Sequence, residues 1–254
     1  MTRINEDDFD VVTAAMVVIG DEILSGRTRD TNAGHLASIM TAIGIDLREV
    51  RFVSDDQDAI IEAVNQLRER NTYVFTSGGI GPTHDDITAD AISAAFGLPC
   101  DHDTQALKIL GEHYKARGIE FTDARKRMAR MPEGAHHIDN PISKAPGFVI
   151  GNVHVMAGVP SIFQAMLDNV VHTLRTGRKL LSKSVLSDFG EGTIGAPLGD
   201  VQKNHPDTII GSYPRYEDGS FSTELVVRSA NEPAIDKALD DIKIMLSELQ
   251  NTQT

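Results

Sequence analysis

Short apolar runs alternate with amphipathic segments along the first two thirds of the chain. The run Ala14–Ile19 is continuous and rich in β-branched residues, which is typical of a strand buried on both faces. The pattern predicts strands over 14–19, 45–53, 73–76, 148–150 and 153–156, and helices over 32–43, 54–67, 88–97, 103–117, 122–131 and 160–174. This alternation indicates an α/β fold with a mostly parallel sheet.

The last third of the chain has a different pattern. It predicts strands over 184–189, 208–213 and 221–228, and helices over 193–202 and 232–249. A basic stretch, Gly177–Lys179, precedes this part and is typical of a linker. We therefore predict a disordered tail over residues 1–12, an α/β domain over 13–178 and a smaller α+β domain over 179–254.

Composition narrows the classes of function. The chain of 254 residues has 24 Lys and Arg against 37 Asp and Glu, for a formal charge of −13. Because this charge repels phosphate backbones, we expect no nucleic-acid partner. The densest basic run, Arg125–Arg127 with Arg130, is predicted to lie on one face of a helix.

Cysteine content and hydropathy indicate the compartment. A single cysteine, Cys100, excludes an internal disulfide and a cysteine-based zinc site. The chain has neither a signal-peptide pattern at its start nor an apolar stretch long enough to span a membrane. We expect a soluble, cytoplasmic protein with no membrane partner.

Acidic side chains follow three of the predicted strands. Parallel strands present their carboxyl ends at one edge of a sheet, and ligands bind at that edge. The sequence therefore predicts a cluster of acids there: Asp21, Glu22, Asp55, Asp56, Asp85 and Asp86. One member of the Asp55–Asp56 pair is expected to cap the next helix, while the other faces a shared metal.

The loop over residues 77–86 combines glycines with acids. Gly78, Gly79 and Gly81 allow main-chain N–H groups to approach an anion, and Thr83 adds a hydroxyl. Asp85 and Asp86 would repel a phosphate unless a divalent cation lies between them. His84 is a candidate proton donor or phosphate contact, and Lys144 is a candidate partner for a ligand phosphate. A simple capped turn is the alternative reading of this loop.

Several of these segments together resemble a known family. They are residues 20–26 (GDEILSG), 30–32 (DTN), 55–56 (DD), 78–88 (GGIGPTHDDIT), 140–147 (NPISKAPG) and 158–160 (GVP). The chain resembles the molybdopterin-binding domain of molybdenum cofactor biosynthesis. It is most similar to the version in competence/damage-inducible protein A and in eukaryotic FAD synthases.

The resemblance implies a three-layer αβα sandwich that forms homo-oligomers. Members in the molybdenum pathway bind molybdopterin, and some transfer adenylate with Mg²⁺. The other branch is linked to divalent-metal-dependent hydrolysis of ADP-ribose or FAD. The essential aspartates of the family match Asp55 and Asp86. A nicotinamide-mononucleotide deamidase domain follows in bacterial relatives, and we expect no such activity here.

Our main hypothesis is a hydrolase of a nucleotide pyrophosphate that uses Mg²⁺, Mn²⁺ or Co²⁺. Asp55 and Asp86 are the predicted catalytic residues, and Asp21 and Asp85 join them as metal ligands. The predicted substrate-binding residues are Gly20, Asp21, Glu22, Asn32, Ser77, Gly78, Gly79, Gly81, Pro82, Thr83, His84, Asn140, Lys144 and Gly147.

Two alternatives remain open at this stage. One is a molybdopterin-binding or adenylate-transferring protein, and the other is a non-catalytic nucleotide-binding module. The chain departs from the family pattern in its third loop. Ser143–Lys144 replaces Gly-Thr, and Ala157 and Ile162 replace a proline and a glutamate.

Overall fold

The first predicted strand is the centre of the core, because all six residues of its apolar run are buried. A computed structural model describes residues 11–217 and 220–252, which divide into two units between Arg178 and Lys179. Residues 1–10, most of the predicted tail, lie outside the described residues. Val12, assigned to that tail, is buried, and its carbonyl oxygen accepts a hydrogen bond from Asp46 N.

A six-stranded sheet is the framework of the first unit. Its strands are β1 (Thr13–Ile19), β2 (Asp46–Val53), β3 (Tyr73–Ser77), β6 (His136–Ile138), β7 (Gly147–Ile150) and β8 (Val153–Met156). They lie in the order β2-β1-β3-β8-β7-β6. The first four of that order are parallel, and the last two are antiparallel to their neighbours. The predicted α/β class with a mostly parallel sheet is confirmed.

Helices cover both faces of this sheet. They are α1 (Asp21–Leu24), α2 (Asn32–Ala42), α3 (Gln57–Arg68), α4 (Thr88–Phe96), α5 (Thr104–Ala116), α6 (Asp123–Lys126) and α7 (Pro160–Val171). Alternate residues of β1 belong to two apolar clusters, one shared with α3, α4 and α5 and the other shared with α2 and α7. A strand buried on both faces has no polar alternation, which is why Ala14–Ile19 is continuously apolar. The three layers are those of the predicted sandwich.

The predicted helix over 122–131 is wrong. Here a short α6 leads into a 3₁₀ turn, Arg127–Ala129, and then into β5 (Arg130–Pro132), which pairs with β4 (Cys100–His102). Met131 precedes a proline, and that position disfavours helical backbone. The basic run therefore does not share one helix face, because Arg130 lies on a strand and pairs with Asp90. The predictions also missed β4, β5 and β6.

The second unit is a three-stranded antiparallel sheet with two helices. Its elements are β9 (Leu181–Ser187), α8 (Glu191–Asn204), β10 (Ile209–Glu217), β11 (Ser220–Ser229) and α9 (Glu232–Thr252). The strand order is β10-β11-β9. Apolar residues of α8 and α9 cover the face that carries Leu225 and Val227. Within the described residues of both units, no helix has the length and apolar character needed to cross a bilayer.

His154 is buried in the first unit and makes its stability depend on pH. The side chain on β8 is 5% exposed and lies between the rings of Tyr73 and Phe75. Burial lowers the pKa of His154 to about 4. Because the neutral ring is favoured in the fold, stability is complete above the unfolded pKa and falls as pH drops from about 6.5 toward 4. We expect a loss of about 3 kcal/mol over this range.

Urea unfolding of His154→Leu checks this expectation, because a leucine does not titrate. The variant should lose about 3 kcal/mol of pH dependence between pH 7 and pH 4. His136→Leu removes an exposed histidine from β6 and is the control, with the pH dependence of the wild type. Equal slopes for wild type and His154→Leu would contradict the assignment.

Candidate functional site

A cavity of about 590 Å³ opens at the carboxyl ends of the parallel strands. Two main-chain hydrogen bonds align these ends: Gly20 N donates to Val53 O, and Gly78 N donates to Met156 O, both at 3.1 Å. Ligands of open parallel sheets bind at this edge. Ten residues predicted from the sequence line the cavity: Gly20, Glu22, Asp55, Gly78, Gly79, Gly81, Pro82, Asp85, Asp86 and Asn140.

Seven predicted residues do not line the cavity: Asp21, Asn32, Ser77, Thr83, His84, Lys144 and Gly147. Eleven lining residues lay outside the predicted set: Ile19, Thr28, Ile80, Met128, Ser143, Ala145, Ala157, Gly158, Val159, Pro160 and Ile162. The loop after β8 also lies at the carboxyl end of a parallel strand. Its residues were not among the predicted site residues, because the sequence alone does not reveal that β8 pairs with β3.

Packing, and not only anion binding, requires the glycines of the loop. Gly78 has φ +110°, and a Cβ there would lie 2.2 Å from Ile19 O. Gly79 has φ +67°, and its Cβ would lie 2.1 Å from Thr88 Oγ1. The Thr88 hydroxyl donates to Gly78 O at 3.0 Å. The loop therefore passes close to both β1 and α4, and its main chain forms part of the cavity wall.

Asp86 is held by the same loop. Thr83 N donates to Asp86 Oδ2 at 2.7 Å, and the Thr83 hydroxyl contacts the same oxygen. A Cβ on Gly81 would lie 2.6 Å from Asp86 Oδ2, so this glycine makes room for the carboxylate. Thr83, which does not line the cavity, thus orients the Asp86 carboxylate. Both Thr83 contacts are with Oδ2, and neither is with Oδ1.

Asp55 and Asp56 have different roles. The side chain of Asp56 accepts a hydrogen bond from Ala59 N at 2.9 Å and caps α3, which confirms the prediction for one of the pair. Asp55 lines the cavity, and its Oδ2 accepts a hydrogen bond from Asp21 N at 2.9 Å. Burial raises the pKa of Asp55, and the charges of Asp21, Glu22 and Asp85 raise it further, against the opposing effect of the Asp21 N–H.

Acidic and aliphatic side chains both line the cavity. Glu22, Asp55, Asp85 and Asp86 contribute carboxylates, and no Lys, Arg or His is among the described residues that line the cavity. Seven small or aliphatic residues also line it: Ile80, Met128, Ala145, Ala157, Val159, Pro160 and Ile162. Their side chains suit an uncharged ring, and the carboxylates suit a cation.

The four predicted metal ligands do not form a preformed cage. Over residues 11–217 and 220–252, no three His, Cys, Asp or Glu side chains come together as a metal-binding group. Mg²⁺ characteristically binds to one or two carboxylates, keeps waters and takes its other ligands from substrate phosphates. The raised pKa of Asp55 fits this mode, because like charges around it favour a neutralising cation.

Asn140 organises the third loop. It is 2% exposed, and its Nδ2 donates to Ser143 Oγ at 2.6 Å and to Ala145 O at 2.8 Å. Its Oδ1 accepts hydrogen bonds from the main chain of Ile142 and Ser143. The loop places Lys144 at φ +65°, a strained conformation for a residue other than glycine. Lys144 itself does not line the cavity.

Asn32 and Ser77 do not line the cavity, but Asn32 bonds to a residue that does, Gly158. Asn32 is 3% exposed, and its Nδ2 donates to Ser77 Oγ at 2.7 Å and to Gly158 O at 2.8 Å. These bonds join the start of α2 to the last residue of β3 and to the loop after β8. His84, in contrast, has a side chain that is 98% exposed. Gly147 packs against β8, since its Cβ would lie 2.2 Å from Val155 O.

Comparison with protein families gives two matches. Residues 15–176 match the model described as "Probable molybdopterin binding domain". Residues 179–252 match the model described as "FAD synthase, middle domain".

Individual relatives extend these matches. A protein of Pyrobaculum arsenaticum is 35% identical over 211 residues, which is 80% of this chain and 80% of that protein. A protein of Sulfurisphaera tokodaii is 32% identical over 246 residues, 91% of this chain and 93% of that one. Among solved structures, the protein CinA of unknown function from Thermoplasma acidophilum is 33% identical with a TM-score of 0.59. That match covers 64% of this chain and 98% of that structure.

Proposed function

The chain belongs, through residues 15–176, to the family of probable molybdopterin-binding domains, and from this premise we propose that it hydrolyses a nucleotide pyrophosphate with a divalent cation. ADP-ribose and FAD are the substrate types. The observation that supports the proposal is that four carboxylate residues and the glycine loop line one cavity, with no basic residue among the described lining residues. An anionic ligand is repelled by these carboxylates unless a cation accompanies it.

Asp55 and Asp86 are the proposed catalytic ligands of the cation, with Asp85 assisting. A divalent cation supplies Lewis-acid polarisation of phosphoryl oxygens and lowers the pKa of an attacking water. Asp21 contributes through its main-chain N–H, which orients Asp55 Oδ2, and through its charge. Thr83 orients Asp86 in a similar way.

The rest of the cavity supports binding of a nucleotide. The main chain of the glycine loop borders the cavity next to the carboxylates, which suits a phosphate. Val159, Pro160 and Ile162 also line the cavity and suit an uncharged ring. A cavity of about 590 Å³ is large enough for a small nucleotide.

A cleavage assay tests the proposal. The full chain is incubated with ADP-ribose or FAD and with Mg²⁺, Mn²⁺ or Co²⁺, and AMP is measured by chromatography. We expect AMP with at least one cation and none in excess chelator. Absence of AMP with every cation, at protein concentrations that show metal-dependent nucleotide binding, would refute hydrolysis and leave the non-catalytic binding module.

A second candidate is binding of molybdopterin at the same edge, with or without adenylate transfer. The description of the matched family favours it, and the aliphatic lining residues suit a pterin ring. Calorimetric titration with molybdopterin and with ADP-ribose compares the two ligands directly. Tighter binding of the pterin, together with absent AMP release, would favour this candidate over the hydrolase.

Metal binding is expected to weaken at low pH because of Asp55. Its raised pKa means that protons compete with the cation at a higher pH than an ordinary aspartate allows. The affinity for Mn²⁺ in the presence of ADP-ribose should therefore fall as pH decreases through that pKa. Electron paramagnetic resonance of free Mn²⁺ measures this. Asp85→Asn lowers the negative charge around Asp55, so it should move the midpoint to lower pH.

A further inference from the structure

A short 3₁₀ turn, Arg127–Ala129, lies against the loop that carries Asp86. Its three residues have different surroundings: Met128 lines the cavity, Ala129 is buried, and Arg127 contacts the main chain of Asp86. The Arg127 guanidinium donates from Nη2 to Asp86 O at 3.1 Å. The turn thus contacts the Asp86 loop through Arg127 and the cavity through Met128.

The turn is itself firmly held. Arg130, the next residue after it, forms an ion pair with Asp90 in the first turn of α4. Asp103 N donates to Ala129 O at 2.8 Å. A space of only about 10 Å³ separates Arg127 and Arg130 from Gly79, Gly81 and Asp86. Such a space holds about one water molecule, so the loop has little room to move toward the turn.

Arg127 is the polar link between these two segments. Its Nε is enclosed and pairs with no protein atom of the described residues, whereas its Nη2 donates to Asp86 O of the loop. Among the described residues, the hydrogen bonds to the Asp86 carboxylate come from Thr83 of its own loop. The start of the loop is anchored separately, by the bond from the Thr88 hydroxyl to Gly78 O. Arg127 therefore supports the main chain at Asp86 itself, the part of the loop that carries the carboxylate.

We propose that Arg127 is a positioning residue that sets the place of the Asp86 carboxylate through the Asp86 main chain. The functional part rests on the proposed role of Asp86 as a ligand of the catalytic cation. The structural part, bracing of residues 79–88 by Arg127, is independent of that role. The two parts have separate measurements.

Three variants of the full chain test the proposal. Arg127→Met keeps the length of the side chain without a donor, and Arg127→Lys keeps one donor group. Lys126→Met removes the neighbouring residue, whose exposed ammonium pairs with Asp123, and is the matched control. The measurements are hydrogen exchange of residues 79–88, the Mn²⁺ concentration at half-saturation with ADP-ribose, and kcat and KM for AMP release.

For Arg127→Met we expect exchange within 79–88 to accelerate about tenfold while the β1–β3 core keeps its wild-type rates. Half-saturation by Mn²⁺ should need about tenfold more metal, and kcat should fall while KM for the nucleotide changes little. Arg127→Lys should recover part of each effect. Lys126→Met should match the wild type throughout.

If residues 79–88 of Arg127→Met exchange hydrogen at the wild-type rate, Arg127 does not brace this loop, and the structural part of the proposal is overturned whatever the metal-binding and activity assays show. Faster exchange with unchanged Mn²⁺ half-saturation would overturn the functional part and leave Arg127 a structural residue. If the wild type releases no AMP, the proposed hydrolysis fails, and exchange together with Mn²⁺ binding still decides the role of Arg127.

Discussion

Gly78→Ala is expected to lower the free energy of unfolding of the first unit by about 3–5 kcal/mol. Two costs add at this position. The residue has φ +110°, which a side chain disfavours, and the new Cβ would lie 2.2 Å from Ile19 O. The obstacle is main chain of the central strand, so it cannot rotate away as a flexible side chain would.

Gly34→Ala is the matched control for this substitution. Gly34 lies within α2, and a Cβ there meets nothing within 4 Å. Alanine in place of an unstrained helical glycine should stabilise the unit by about 0.5–1 kcal/mol. Urea denaturation measured by circular dichroism gives the two values. Hydrogen exchange then assigns the change to the first or the second unit.

Gly78→Ala should also widen the gap between β1 and the glycine loop and so reduce nucleotide binding. We expect the residual folded fraction to bind ADP-ribose and Mn²⁺ more weakly than Gly34→Ala does. Unfolding of Gly78→Ala at the same urea concentration as Gly34→Ala would contradict the close approach of Gly78 to Ile19 O.

Local patterns were sufficient to predict the main layers and the edge that carries the cavity. β1 is buried on both faces and therefore has an unmistakable apolar run, and its neighbours follow the same rule. The parallel arrangement then determines which loops share an edge, which is how Asp55 and Asp86 were predicted to lie together. These inferences need only sequence neighbours and one topological rule.

The parts that were missed depend on contacts distant in sequence. β4 and β5 have three residues each, too few for a periodic pattern, and they exist because they pair with each other. Met128 and Arg127 reach the site through this pairing. Val159 and Ile162 line the cavity because β8 lies beside β3, a pairing between residues far apart in the chain.

Two predicted substrate-binding residues make hydrogen bonds within the protein. Asn32 donates to Ser77 at the end of β3 and to Gly158 O, and Thr83 N donates to Asp86. Substrate binding by either residue stays a prediction. A polar residue near a site has the same sequence signature whether it contacts the ligand or holds a loop. Only the direction of the side chain distinguishes the two, and no local pattern encodes it.

Asp55→Asn is expected to reduce kcat for AMP release by at least about 100-fold, because it removes a ligand charge from the proposed cation site. The fold should not suffer. Burial and the charges of Asp21, Glu22 and Asp85 raise the pKa of Asp55, so ionisation of this carboxyl group lowers the stability of the folded state. Removing the charge should leave the melting temperature at pH 7 unchanged or higher.

Asp56→Asn is the control that isolates the role of the cavity, because the adjacent residue undergoes the same chemical change. Asp56 caps α3 and does not line the cavity, and asparagine caps helices about as well as aspartate. It should keep wild-type kcat and melting temperature. Loss of turnover in Asp55→Asn without loss of stability, beside an unaffected Asp56→Asn, would separate catalysis from folding. Wild-type turnover in Asp55→Asn would instead remove Asp55 from the reaction, because the neutral amide cannot replace the carboxylate charge at a divalent cation.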